Sequence, residues 1–274
     1  MPSIYSIGGH RLQELPHYLN GRMIELRIGC CGGADKVQIY SELGFDYIEP
    51  PVVSVVEDES YDLLGKNTEQ FNLKPEVFNC FLPGSLPIVG PDVDQVAICK
   101  YLNHVLPRIE SLGGKIVVFG SGKARKIPQG FPQETAEKQL FIFLDMVAEA
   151  AGDKVRIVIE PLCQKQSNLL NQVAETRDVC KKIGWRVGLL ADLFHMAQEE
   201  EPLGNLVPVS QLGHIHLPFP EEPFSTADFL HILKSRGYKK RVSLEDNGGV
   251  LGRTPSEKHK EVLAQALACI RSLS

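Results

Sequence analysis

Four residues of metal-ligand type close short apolar runs in the second half of the chain. Arg156-Ile157-Val158-Ile159 ends in Glu160, Gly188-Leu189-Leu190-Ala191 in Asp192, His214-Ile215 in His216, and Val242-Ser243-Leu244 in Glu245. A charge at the end of an apolar strand is costly unless it is paired, hydrated or bound to a metal. Taken singly, each reads as an ordinary strand-end residue facing solvent. Their intervals, however, are each close to the length of one βα unit, so four adjacent strand ends would bring them into one small region. Three carboxylates and one imidazole form an oxygen-rich set that suits Mn²⁺, Mg²⁺ or Co²⁺ in a roughly octahedral arrangement better than a closed tetrahedral Zn²⁺ site, with Zn²⁺ still admissible. No cysteine falls among the four. One divalent cation is the expected cofactor.

The elements that must position these residues are legible as an alternation. Eight short apolar runs, Ile24–Ile28, Phe45–Ile48, Val77–Phe81, Lys115–Phe119, Val155–Ile159, Val187–Ala191, Leu212–His216 and Arg241–Leu244, are each followed by a segment with apolar residues at helical spacing. Examples are Val96, Cys99, Leu102, Val105, Leu106 and Ile109, or Leu140, Phe143, Leu144, Val147 and Ala150. Gly113-Gly114 and Gly152 read as helix stops, and Thr254-Pro255 as the start of the last helix. Such alternation predicts βα units and a parallel sheet, and eight units in about 250 residues predict a single-domain (β/α)8 barrel over 23–274, preceded by an appended segment at 1–22. The competing doubly wound sheet lacks its usual G-x-G-x-x-G turn: Gly29-Cys30-Cys31-Gly32-Gly33 has the wrong spacing. In a barrel, residues at the C-terminal strand ends face the active site.

Composition narrows the function classes. The chain has 274 residues, 43% hydrophobic and 23% charged, enough for one full-sized core and too apolar for disorder. Its net charge is −5, and no Lys/Arg run is long enough to coat a phosphate backbone, so no nucleic-acid partner is expected. Met1–Gly9 lacks the basic start and apolar run of a signal peptide, and no apolar stretch reaches membrane length; a soluble, cytoplasmic protein with no membrane partner is expected. The seven cysteines are odd in number, form no CxxC or CxxH pair and read as buried thiols in a reducing compartment. Whether the chain forms a homo-oligomer is left open.

The first half adds rim candidates. Glu49 ends the second run and points at the centre, either as a contact for a substrate hydroxyl or proton-transfer helper, or as a rim carboxylate paired with a neighbouring base. Asn79, near the end of the third run, reads equally as a contact for a ligand hydroxyl and as a buried cap. After the fourth run, the glycines of Phe119-Gly120-Ser121-Gly122-Lys123-Ala124-Arg125-Lys126 would let backbone approach a ligand, and Ser121, Arg125 or Lys126 could hold a phosphate or carboxylate or simply be solvated. The loop lacks the GxxxxGK[ST] pattern of a nucleotide P-loop. His214 is expected to point away from the ligands, into the strand–helix layer, as a packed histidine.

Ile159-Glu160-Pro161-Leu162 with Asn168 downstream, Ala191-Asp192-Leu193-Phe194-His195-Met196, Gly213-His214-Ile215-His216 and Ser243-Leu244-Glu245 together resemble the xylose isomerase-like barrel superfamily, in particular its sugar phosphate isomerase/epimerase branch, over roughly residues 23–272. The resemblance implies one divalent cation held by Glu160, Asp192, His216 and Glu245, and a substrate-binding role for His195. It implies a small-molecule sugar or sugar phosphate as partner. The implied chemistry is proton transfer at a carbon next to a carbonyl through an enediolate, with Glu160 and Glu245 as the paired catalytic bases. Ketose epimerases of this family carry an Arg about six residues after the second His of HxH; Leu217–Glu222 contains none. An inosose-type dehydratase or lyase is the alternative. A metal-dependent apurinic endonuclease, found in the same superfamily, would need further ligands from the early strands, which offer Glu49 and Asn79 but no histidine.

Overall fold

Alternation along short parallel strands sorts the apolar residues into two cores, one inside a barrel and one between the barrel and its helices. The computed structural model describes residues 26–219, 226–246, 251 and 256–273. In chain order its main elements are β1 (Arg27–Cys31), α1 (Val37–Leu43), β2 (Tyr47–Glu49), α2 (Asp58–Gln70), β3 (Val77–Phe78), α3 (Gln95–Ser111), β4 (Ile116–Phe119) and α4 (Gln133–Ala151). The second half continues with β5 (Arg156–Ile159), α5 (Val173–Lys182), β6 (Gly188–Asp192), α6 (Leu193–Gln198), β7 (Leu212–Pro218), α7 (Thr226–Ser235), β8 (Arg241–Glu245) and α8 (His259–Leu273). The strands are hydrogen-bonded in the order β2-β1-β8-β7-β6-β5-β4-β3. The ring shuts through the parallel bridges Ile48↔Pro75 and Pro51↔Asn79. Closure excludes the doubly wound sheet; the architecture is a single-domain (β/α)8 barrel.

Side chains two apart along a strand share a face. Tyr47, Val77, Ile116, Val118, Val158 and Leu190 meet inside the barrel as a small core of their own. Glycine makes room at one point in particular: a Cβ on Gly29 would stand 2.2 Å from the Tyr47 ring, which lies across that position. The larger core lies outside, where α3 lays Ile98, Leu102, Val105, Leu106 and Ile109 against the strands and α4 lays Ala136, Leu140, Phe143, Leu144 and Val147. Asp94 caps α3 by accepting from the Val96 and Ala97 amides, and Gly113 stops it at φ +91°. Leu102, Val105, Leu106 and Ile109 are buried as expected, and only the first turn differs, where Val96 and Cys99 face solvent and Ile98 faces the core. At the N-terminal end of the barrel Glu76 accepts from Arg27 at 2.7 Å and from Arg241 Nε at 2.6 Å, bridging β1, β3 and β8.

Two strands differ from the sequence pattern by three residues, and the other six shift by one or two residues at one or both ends. The first strand runs Arg27–Cys31 rather than Ile24–Ile28, because the backbone stays in ladder register through Gly29 and Cys30 with both β2 and β8. The third strand spans only Val77–Phe78, and Asn79 and Cys80 leave it as loop, Cys80 with φ +50°. The appended segment at 1–22 and the Thr254-Pro255 helix start lie outside the described residues. Among the described residues no helix is long and apolar enough to cross a membrane. The cysteines are all free, and not all are buried: Cys80 and Cys99 are exposed.

Candidate functional site

The C-terminal ends of β5, β6, β7 and β8 bring Glu160, Asp192, His216 and Glu245 to one point. One donor atom from each lies within 4.8 Å of all the others. His216 Nδ1 is at the centre, 3.0 Å from Glu160 Oε1, 3.7 Å from Asp192 Oδ2 and 2.8 Å from Glu245 Oε2. Each side chain is placed by its neighbours. Gly120, beside Glu160, leaves the space its carboxylate fills, since a Cβ there would stand 2.2 Å from Oε2. Asp192 divides its carboxylate: Oδ1 accepts from the His195 amide at 3.0 Å and caps α6, which leaves Oδ2 towards His216.

Behind His216 lies Glu49. It is 0% exposed, with Oε1 2.8 Å from His216 Nε2 and Oε2 3.0 Å from His214 Nε2. Ser243 Oγ also donates to Glu49, and Tyr47 Oη lies 2.8 Å from Ser243 Oγ. Since a carboxylate only accepts, both His216 and His214 carry a proton on Nε2. His216 is therefore held with Nε2 protonated against Glu49 and Nδ1 turned to the other three ligand-type residues, the orientation that a carboxylate behind a metal-binding histidine imposes. Glu49 points at the centre, where His216, His214 and Ser243 engage its carboxylate. His214 also points inward: residues 214 and 216 are two apart and share a face, so its expected place in the strand–helix layer is incorrect.

Charge in this pocket is unbalanced in favour of a cation. Burial opposes ionisation of Glu160, yet the His216 imidazole, His195 and Arg125 outweigh it and hold its carboxyl below the usual range. Asp192 is pushed up to about 7, by burial first and then, against the pull of His195, by the Glu160 and Glu245 carboxylates. Burial works against a charged His216 too, but Glu49 and Glu245 drive its affinity for a proton well above the usual range. Glu49 is held well below the carboxylate range despite its burial because two imidazoles face it. Crowded carboxylates around one imidazole nitrogen are the donor set a divalent cation satisfies, by replacing the proton they now compete for.

The remaining candidates separate. His195, in the first turn of α6, is buried beside the quartet and accepts from the Cys163 amide through Nδ1 at 3.3 Å. Asn79 is 7% exposed, with its backbone tied to the segment after β2 through Pro50 and Val52. Ser121 accepts from the Leu82 amide at 2.8 Å, which joins the loops after β3 and β4. Arg125 departs from the expected anion contact. It is 0% exposed, donates to the Glu160 carbonyl at 2.7 Å and to those of Phe119 and Leu170 at 3.4 Å, and lies over the Phe119 ring. Its two terminal nitrogens thus hold the β4 and β5 loops together, while Lys126 is exposed. Asn168 clamps the same region by accepting from the Ile127 amide at 2.8 Å and donating back to its carbonyl.

Glu49→Gln is expected to lower divalent-cation affinity ~10–100-fold, the scale of losing an outer partner of a ligand histidine. Calorimetric titration with Mn²⁺ reads this; unchanged affinity would show that His216 is held without Glu49.

Solved structures share this architecture. A D-psicose 3-epimerase with D-tagatose from Clostridium cellulolyticum H10 superposes with a TM-score of 0.76 at 17% identity, over 90% of this chain and 99% of that one. An AP endonuclease, family 2, from Brucella melitensis gives 0.73 at 16% identity over 89% and 99%. The IolI protein with a binding zinc atom gives 0.68 at 16% identity over 90% and 98%. At these identities the likeness is one of fold. No curated protein matches the chain in sequence. Residues 37–273, nearly the whole barrel, match the xylose isomerase-like TIM barrel family, and the chain belongs to it.

Proposed function

We propose that the protein is a divalent-metal-dependent isomerase or epimerase of a small sugar or sugar phosphate. The observation that carries this reading is the convergence of Glu160, Asp192, His216 and Glu245 from four consecutive strands, with donor atoms within 4.8 Å of one another. Similarity of fold to a D-psicose 3-epimerase and to a zinc-binding IolI protein supports it. A cation held by the quartet supplies Lewis-acid polarisation of a substrate carbonyl. The chain's own residues do the rest. Glu160 on β5 and Glu245 on β8 flank His216, and one removes the proton from the carbon beside the carbonyl, leaving an enediolate, while the other returns it. Return to the opposite face epimerises; return to the neighbouring carbon isomerises. Glu49 keeps His216 turned to the site, and His195 stands where a sugar hydroxyl would approach. Because Arg125 is committed to backbone carbonyls, uncharged sugars head the list of substrates.

The test is hydrogen exchange. Metal-loaded protein in D₂O with ketoses, ketose phosphates, hydroxypyruvate and inososes is expected to place deuterium on the carbon beside the carbonyl of at least one compound, followed by NMR with product scored in parallel. The label and product should vanish with chelator and in Glu160→Gln. A product one water lighter would mark a dehydratase. Neither label nor product, together with metal-dependent cleavage of abasic DNA, would overturn the proposal in favour of an endonuclease.

A further inference from the structure

The strand next in order brings a thiol close to two of the four residues, His216 and Glu245, though not into the four-residue cluster itself. β1 pairs with β8 through Cys30↔Leu244 and with β2 through Cys31↔Glu49, so Cys31 ends its strand beside Glu245. Gly29 faces the barrel interior under the Tyr47 ring, and Cys31, two residues on, faces the same side, whereas Cys30 is buried. Cys31 Sγ and one donor atom each of His216 and Glu245 all lie within 4.8 Å of one another. A thiol that close to an imidazole and a carboxylate is a donor type that divalent Zn²⁺ and Co²⁺ accept alongside nitrogen and oxygen.

We propose that Cys31 Sγ is a fifth protein donor to the cation held by Glu160, Asp192, His216 and Glu245, and that it biases this site towards Zn²⁺ and Co²⁺ over Mg²⁺ and Mn²⁺. The inference rests on the metal-dependent reading above and concerns which metal that site selects. As the sulfur–metal bond forms, the S–H bond breaks and its proton passes to solvent. Every other donor in the set is a hard carboxylate oxygen or an imidazole; a single thiolate is the soft element that separates Zn²⁺ and Co²⁺ from Mg²⁺. Cys80 is the internal control. It follows β3, is exposed, and is close enough to feel the Glu245 charge, but it joins no donor cluster among the described residues.

Titration of the full chain with Co²⁺ separates the outcomes. Wild type is expected to show visible ligand-field bands together with a near-ultraviolet thiolate-to-cobalt charge-transfer band. Cys31→Ser should lose the second and keep the first, and Cys80→Ser should keep both. Zn²⁺ affinity should fall at least ~10²-fold in Cys31→Ser, beyond the ~10–100-fold range of an outer partner, while Mn²⁺ affinity changes by less than ~3-fold. As a measurement that needs no substitution, Zn²⁺ should slow alkylation of Cys31 by iodoacetamide at least ~10-fold, read by peptide mass spectrometry, since a metal-bound thiolate is withdrawn from attack. Visible bands without charge transfer in wild type, a charge-transfer band that survives Cys31→Ser, or alkylation indifferent to Zn²⁺ would each overturn the inference and leave the metal site standing. Absence of any cobalt band would remove both.

Discussion

Glu245→Gln is expected to lower turnover on the substrate identified by exchange at least ~10²-fold, the lower scale for a positioned general base. The substitution keeps the side chain's shape and one carbonyl oxygen, so divalent-cation affinity should fall much less than turnover. Glu245 is the more solvent-accessible of the paired carboxylates, with 22% of its side chain exposed against 9% for Glu160, yet its Oε2 is 2.8 Å from His216 Nδ1. It therefore meets both the ligand cluster and the open mouth of the barrel, where a substrate carbon must lie. Steady-state kinetics at saturating Mn²⁺ check the expectation, with calorimetry on the same preparation. Near-normal turnover would transfer the proton step to Glu160 alone. Glu49 is no substitute, because its carboxylate is 0% exposed and shut behind His216 by hydrogen bonds to two histidines and Ser243.

The four strand ends of the second half could be read from the chain because each apolar run stops at an ionisable residue, a change of polarity that composition alone exposes. The first half hid its contributions for identifiable reasons. Gly29-Cys30-Cys31-Gly32-Gly33 looks like a turn, yet pairing with β2 and β8 carries the strand to Cys31. Placing β1 three residues nearer the N-terminus leaves Cys31 off the rim, although it is the one cysteine among the described residues that joins a cluster with His216 and Glu245. Arg125 stands in a Gly-rich loop of basic residues, the pattern of an anion grip; only the fold shows that three carbonyls, those of Phe119, Glu160 and Leu170, converge on it. The inward direction of His214 was available from strand periodicity, since residues 214 and 216 must share a face. What no local pattern could supply was the depth of Glu49, which depends on the partners that β7 and β8 present to it across the barrel.

Asp192→Ala is expected to abolish micromolar Mn²⁺ binding, a larger loss than the ~10–100-fold assigned to outer partners, because a direct ligand is removed. The residue has two tasks, and the experiment must separate them. Oδ1 accepts from the His195 amide and caps α6, while Oδ2 faces His216 Nδ1 at 3.7 Å. Alanine forfeits both, and loss of the cap alone costs ~1 kcal/mol of stability and loosens the turn that carries His195. Asp192→Asn retains an oxygen for the cap but removes the negative charge. If the carboxylate is a ligand, calorimetric Mn²⁺ affinity should collapse in both variants while the melting temperature without added metal falls chiefly in the alanine variant. If Asp192 is only a helix cap, the asparagine variant should bind Mn²⁺ as wild type does, and the quartet would reduce to Glu160, His216 and Glu245. Burial and the two neighbouring carboxylates that push Asp192 up to about 7 argue for the first outcome. A side chain serving purely as a cap gains nothing from being crowded by like charges, whereas one sharing a cation with them is stabilised by the ion that relieves the repulsion.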